Sequence, residues 1–267
     1  SEDQWGAMDS TGQIVVPCKY TDVRIVNDMV VVKNQDGKAK VFSGDGEPIT
    51  DKWYENGWGS ALNIMPALKE NGKWRYMKAN GQFIKGEYNN LKAFTHGVAF
   101  VENDEGMWGA IDTTGKLVLP YQYHGVKGVC NGMAAIENED GEFAIINTQG
   151  EMLSDDWYND AFVKYKNTMI ALQQKNLLGK RWFYVNENGE QVGKKYRSLS
   201  VFSEGYAFAK RLGKWGVISE QGEHMTGFKY DEYKTVFKNG RAIVKEDDAT
   251  FYINPLGLPV YVKLLEP

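Results

Sequence analysis

Three histidines, two cysteines and a few neighbouring carboxylates are the residues of this 267-residue chain best suited to reaction chemistry. A metal centre needs ligands that converge, usually a histidine or cysteine pair at helical or hairpin spacing. His96, His124 and His224 each stand alone and fall at three different phases of the internal period described below, so they read as surface or turn residues. Cys18 and Cys130 are far apart and lie in no activated context, which predicts idle thiols and no disulfide framework. No Gly-x-Ser-x-Gly elbow or phosphate-cradling glycine motif is present. The acid pairs Asp155–Asp156 and Asp104–Glu105, and the run Glu246 to Asp248, have the chemistry of a glycoside hydrolase. Adjacent strand residues point to opposite faces, however, so such neighbours rarely meet on one substrate. The expectation is a chain without catalytic site, metal or cofactor.

Binding chemistry has better candidates. Trp53, Trp58, Trp157, Tyr121 and Tyr233 are aromatics outside the repeat consensus, and Trp53 and Trp157 each stand immediately before a repeat tyrosine. Such rings could stack on a sugar or anchor a peptide. A second candidate is the segment Leu172 to Trp182, where an insertion breaks the period. There Leu177 and Leu178 form an apolar pair beside Lys175, Lys180 and Arg181, as expected of a protein-contact projection. The site residues singled out are therefore Trp53, Trp58, Trp157, Leu177, Leu178 and Arg181. The expected partner is a protein or peptide, with a glycan as the alternative.

The elements that position these residues follow from an internal repeat. Turn glycines recur at Gly12, Gly46, Gly81, Gly115, Gly150, Gly189, Gly222 and Gly257. Seven residues before each stand Trp5, Ala39, Trp74, Trp108, Phe143, Trp182, Trp215 and Thr250; shortly after the first seven come Tyr20, Tyr54, Tyr88, Tyr123, Tyr158, Tyr196 and Tyr230. Three markers sharing one period of about 35 residues define eight units. Each reads as a β-hairpin with a glycine turn, then a return through the tyrosine to a third strand such as Val98–Val101 or Arg241–Val244. That third strand is apolar on both faces, so both faces must be covered. No sustained 3.6-residue apolar period occurs, so helices should be few. The repeated Trp and Tyr are read as core, because each unit must solve the same packing problem.

Gly213-Lys-Trp-Gly-Val-Ile218, Gln221-Gly222, Phe202-Ser-Glu-Gly205 and the recurring tyrosines give the chain its likeness to a known family. The pattern resembles the WG-repeat (KWG-repeat) proteins of bacteria over essentially the whole chain. Only three units keep the Trp-Gly pair: Trp5-Gly6, Trp108-Gly109 and Trp215-Gly216. The resemblance implies a β-rich repeat domain, often exported or at the cell surface, with no catalytic site attached to the repeat. The expected fold is all-β: one domain over residues 1–267, made of eight β-meander units starting near 5, 39, 74, 108, 143, 182, 215 and 250. A propeller-like ring or an open β-solenoid stack would each satisfy the pattern. A formal net charge of −4 with both signs interspersed leaves no basic stripe for nucleic acid. No apolar run is long enough for a spanning helix. Ser1-Glu-Asp-Gln4 has the look of a processed end, which with the resemblance points to a periplasmic or cell-surface location.

Overall fold

In the computed structural model, the tyrosine that closes each period pairs back onto the residue that opened it. Trp5 faces Tyr20, Trp108 faces Tyr123 and Trp182 faces Tyr196 across a hairpin. Isolated bridges repeat the pairing between Ala39 and Tyr54, Trp74 and Tyr88, Phe143 and Tyr158, and Trp215 and Tyr230. Both markers lie at similar distances from the turn glycine, so hairpin register brings them opposite each other. The structure describes residues 4–59, 65–154, 156–163, 169–177 and 179–260, and among these no helix occurs.

Among the described residues the strands form eight small antiparallel sheets in chain order. The first contains β1 (Trp5–Met8) and β2 (Ile14–Tyr20). The second contains β3 (Asp22–Val26), β4 (Met29–Lys33) and β5 (Ala39–Ser43), and the third β6 (Asn56–Trp58), β7 (Ala67–Glu70) and β8 (Lys73–Tyr76). The fourth has β9 (Asn90–Leu91), β10 (Val98–Glu102), β11 (Trp108–Asp112) and β12 (Leu117–Tyr123). In the fifth are β13 (Gly125–Cys130), β14 (Met133–Glu137) and β15 (Phe143–Asn147). The sixth has β16 (Asp160–Phe162), β17 (Ile170–Asn176), β18 (Gly179–Val185) and β19 (Gln191–Tyr196). β20 (Ser198–Leu199), β21 (Tyr206–Arg211) and β22 (Lys214–Ser219) make the seventh, and β23 (Glu232–Tyr233), β24 (Ala242–Glu246) and β25 (Ala249–Ile253) the eighth. The chain divides into two compact units, residues 1–125 and 126–267.

The sheets are out of phase with the sequence units. A short strand follows each tyrosine and opens a new sheet, and the third strand pairs forward with the next Trp-position strand. Each sequence unit thus straddles two sheets. Local turns explain this: Asn71-Gly72 and the four-residue Asn103–Gly106 turn each fold a third strand directly onto the strand that follows it. Sequence patterning shows the third strand but misses the short first strand, which has only two or three paired residues in five of seven cases.

Turn chemistry recurs with the period. Asp112 Oδ1 accepts from the backbone N–H of Thr114 (2.8 Å) and Lys116 (3.0 Å), while Gly115 N–H donates to the Asp112 carbonyl at 3.0 Å. Asp9, Asn147, Asn186 and Asn254 hold the same turn through one side-chain oxygen. The glycine of the Trp-Gly pair also has a packing reason. A Cβ on Gly109 would lie 2.7 Å from the Leu119 carbonyl oxygen of the bulged partner strand.

Third strands are buried on both faces, as their composition requires. In the second sheet Val30 and Val32 pack with Val16 and Tyr20 of the first, while Met29 and Val31 pack with Leu68 and Met77 of the third. In the second unit, Ala171 meets Ala207 and Ala209, and Phe208 meets Ala242 and Val244. Alternation along a strand therefore sends successive residues into two different cores.

Candidate functional site

The insertion after the fifth tyrosine lengthens a hairpin. β17 and β18 pair without interruption from Ile170–Val185 to Asn176–Gly179, which carries Leu177 to a fully exposed tip. Leu178 lies outside the described residues. Arg181 is half-buried on the stem, where Nη1 donates to the Lys180 carbonyl at 2.9 Å.

The singled-out tryptophans part company. Trp58 is half-buried, sits edge-on to Trp74 at 6.5 Å and packs against the core around Ala67 and Ala99, so the structure places it with the interior. Trp53 is 38% exposed and stands 6.3 Å from the Tyr20 ring. With Lys19, Asn34, Gln35 and Asp36 these two rings edge a shallow hollow of about 290 Å³ in the first unit. Trp157 is 39% exposed and belongs to the second unit, so it and Trp53 are described separately.

Repeat tyrosines behave as core: Tyr20, Tyr54, Tyr88, Tyr196 and Tyr230 are buried, and Tyr123 and Tyr158 half-buried. Burial raises the Tyr88 phenol to about 12, while its hydroxyl donates to the Lys85 carbonyl at 3.1 Å. Repeat tryptophans vary more. Trp108 is buried, Trp74, Trp182 and Trp215 are half-buried, and Trp5 is exposed. Lysines cover several of these rings, with Lys92 5.2 Å from Trp108 and Lys210 5.3 Å from Trp215.

A larger groove, of about 340 Å³, lies in the second unit. Phe162 on β16, Leu199 on β20 and Tyr233 on β23 line it, together with Trp182, Val201 and Val236. Three consecutive sheets thus contribute their first strands to one hollow. Among the described residues each first strand is the edge of its sheet, pairing only with the third strand beside it. Alternation explains the exposure of Phe162: Ala161 points into the core and the next residue must point out, leaving Phe162 44% exposed.

The far wall is fixed. Tyr233 stacks flat on Phe208 at 4.7 Å and meets Trp215 edge-on at 4.8 Å. Ser200 braces the floor, since its Oγ accepts the Phe208 N–H at 2.8 Å and its carbonyl accepts the Tyr184 hydroxyl. Rigid aromatic walls, two lining serines and open backbone edges suit an apolar segment with a polar main chain. Of the lining residues, the sequence marks only Tyr233 as an aromatic outside the repeat, and it gives Trp182 to the core. Phe162 escaped it because the first strands had no periodic signature.

Reactive groups remain scattered. His96, His124 and His224 are all exposed, and no cluster of three metal-ligating side chains occurs among the described residues. His224 Nε2 lies 3.0 Å from the Tyr196 hydroxyl; desolvation, then Lys194 and Arg211, depress its pKa. Asp104 pairs with Lys73, and Glu246 with Lys229 at 3.0 Å, whereas Asp155 lies outside the described residues. Cys18 is exposed; Cys130 is buried, and desolvation pushes its thiol up to about 12. An acidic hollow of about 310 Å³ holds Glu204, Glu220 and Glu223, but the Glu204 carboxylate already accepts the Asn239 and Gly240 N–H groups at 2.7 and 2.8 Å. No helix among the described residues is long and apolar enough to cross a membrane.

The family described as "WG containing repeat" matches four stretches, residues 5–38, 108–141, 182–215 and 215–248, which together span just over half of the chain. No curated protein matches. Solved structures similar in fold include a eukaryotic initiation factor (TM-score 0.55, 9% identity, covering 94% of this chain and 80% of that one). Others are BamB from Moraxella catarrhalis (0.44, 15%, 92% and 86%) and the WD40 β-propeller domain of Doa1 (0.35, 12%, 88% and 91%). At such identities the first likeness bears on fold alone, and the other two carry no argument.

Proposed function

The chain belongs to the WG-repeat family, and from that premise we propose that it is a non-catalytic scaffold whose second unit holds an extended apolar segment of a partner protein. One observation carries the reading: the first strands of three successive sheets converge on one groove with an exposed phenylalanine and a stacked tyrosine. An exposed aromatic beside a preorganised apolar wall is the kind of anchor that dominates peptide binding. Open edge strands beside it offer main-chain hydrogen bonds to an extended ligand. The groove's lining has no acid, base or nucleophile poised for reaction, which supports binding over catalysis.

Peptides selected from a random library for binding to the whole chain test this. They should be rich in apolar residues and bind Phe162→Ala about tenfold or more weakly, the usual loss at an aromatic anchor. Leu177→Ala and Arg181→Ala should leave that affinity unchanged. Equal binding to Phe162→Ala would refute the groove, and loss only in the hairpin variants would move the site to the hairpin tip.

A second reading is favoured by the Trp53 hollow, where an exposed indole is ringed by Lys19, Asn34, Gln35 and Asp36. That is carbohydrate-binding chemistry, with stacking on one side and hydrogen bonds around it. A glycan array should then give a signal that Trp53→Ala abolishes; an empty array disposes of the reading. A periplasmic or cell-surface location is part of the proposal, resting on the family resemblance, and fractionation of the source cell checks it.

A further inference from the structure

The hairpins that join a third strand to the next Trp-position strand end in tips of two kinds. Asn34–Gly37, Asn71-Gly72, Asn103–Gly106, Asn138–Gly141 and Asp247-Asp248 are polar, as turns at a wet surface should be. The sixth and seventh sheets break the rule. β17 and β18 pair out to Asn176 and Gly179, so Leu177 stands at the tip and is fully exposed. β21 and β22 pair out to Arg211 and Lys214 around Leu212-Gly213, and Leu212 is 89% exposed.

Turn chemistry does not ask for the second leucine. Leu212 and Gly213 have φ of +49° and +87°, close to the +51° and +76° of Asn71 and Gly72 in a hairpin of the same length. Both central residues of such a turn are left-handed, which suits Asn, Asp or Gly and strains a leucine. Leu212 is thus unfavourable for backbone and hydration at once, and an outlier of that kind points to function.

The two hairpins stand side by side, because Ala171 of β17 shares one core with Ala207 and Ala209 of β21. Cations lie behind both tips. On the longer hairpin Lys175 faces Lys180 and Arg181 faces Gln174; on the shorter, Arg211 faces Lys214. Among the described residues Lys175, Lys180, Arg181 and Arg211 form no ion pair, while Asp231 holds Lys214 at 2.6 Å. Lys194 of β19 gathers near Arg211, since after desolvation these two charges depress the His224 pKa.

Spacing decides what covers the tips. At about 3.3 Å per residue, the Lys175–Lys180 row lies about 7 Å behind Leu177 and the Arg181 row about 10 Å. Apolar side chains of interfacial elements enter a bilayer by about 5–10 Å, which sets those cations among the lipid headgroups. Two-residue turns also leave few main-chain groups unpaired in a phase without water, a requirement that a hydrogen-bonding protein partner would not impose. Acids on the flanking tips, Glu139 and Asp140 before and Asp247 and Asp248 after, confine the contact to this pair.

We propose that the paired tips of the sixth and seventh sheets dock the chain on the anionic face of a lipid bilayer, with Leu177 and Leu212 inserted and Lys175, Lys180, Arg181 and Arg211 against the headgroup phosphates. Phe162, Leu199 and Tyr233 take no part, so this docking stands apart from the peptide groove proposed above.

Vesicles of equal parts phosphatidylcholine and phosphatidylserine, mixed with the intact chain and sedimented, test it. The chain should sediment with them, far less with phosphatidylcholine alone, and less as salt rises. Leu177→Asn and Leu212→Asn should each weaken partition about tenfold, the value of one buried leucine. Lys180→Gln should weaken it about fivefold. All three side chains are exposed, and asparagine suits the Leu212 turn, so melting temperatures should hold. No sedimentation with the anionic vesicles, equal sedimentation with phosphatidylcholine alone, or unweakened partition of either leucine variant would overturn the proposal. Dimerisation that both leucine variants abolish, without vesicle binding, would assign the tips to a second copy of the chain instead.

Discussion

Gly12 and Gly115 open onto the same turn with nearly the same backbone, φ +88° and +87°, yet their surroundings differ. A Cβ on Gly12 would meet nothing within 4 Å, whereas one on Gly115 would lie 2.5 Å from the Lys85 carbonyl oxygen, in the segment between the third and fourth sheets. Replacing each by alanine therefore separates two roles that the sequence superimposes. Both variants incur the left-handed penalty of about 1–2 kcal/mol. Only Gly115→Ala must also push a backbone carbonyl away, which by analogy with overpacking adds about 1–3 kcal/mol. The expected order is a loss of about 1–2 kcal/mol for Gly12→Ala and about 2–5 kcal/mol for Gly115→Ala. Urea titration followed by circular dichroism reads the difference as a shift in midpoint at constant slope. Both residues lie in the first unit, so one transition reports on both. Equal losses would mean that the glycine serves the turn alone and that the close approach of successive sheets contributes nothing.

Trp108→Ala should lose about 3–5 kcal/mol and Trp5→Ala under about 1 kcal/mol, since one ring is buried beneath Lys92 and the other mostly exposed; similar urea midpoints would refute the packing assignment. The depressed pKa of His224 means that the folded chain binds this proton less readily than the unfolded chain does. Its contribution is present above the unfolded histidine value, about 6.5, and is lost as pH falls through the lower folded value. Melting temperature should thus decline on acidification from pH 7.5 toward 5 more steeply in the parent than in His224→Gln, and parallel profiles would contradict the assignment. Maleimide should label Cys18 in the native protein and reach Cys130 only after unfolding, which mass spectrometry resolves; native labelling of Cys130 would show its core to be open.

Much of the architecture was legible because a repeat states its own geometry. Spacing of Trp, Gly and Tyr defined eight hairpins, and the two-sided greasiness of strands such as Met133–Glu137 required a sheet against each face. The number of third strands, one fewer than the hairpins, could also be counted from the residues. The candidate groove was not legible in the same way. Phe162, Leu199 and Tyr233 are far apart in sequence and sit on strands too short to show a period, so nothing local marks them as neighbours. Trp58 and Trp53 looked alike as surplus tryptophans, and only packing showed one turned to the core and the other to a hollow.

Sequence alone determined the β class, the period, the turn chemistry and the family, because these depend on interactions within about a dozen residues. Tertiary structure decided where each sheet begins, which rings are covered and which edges stay open. Those depend on what lies across the neighbouring sheet. Trp108 and Trp215 make the point: the same residue opens the same motif, yet one ring is buried and the other half-buried, because what packs across each differs.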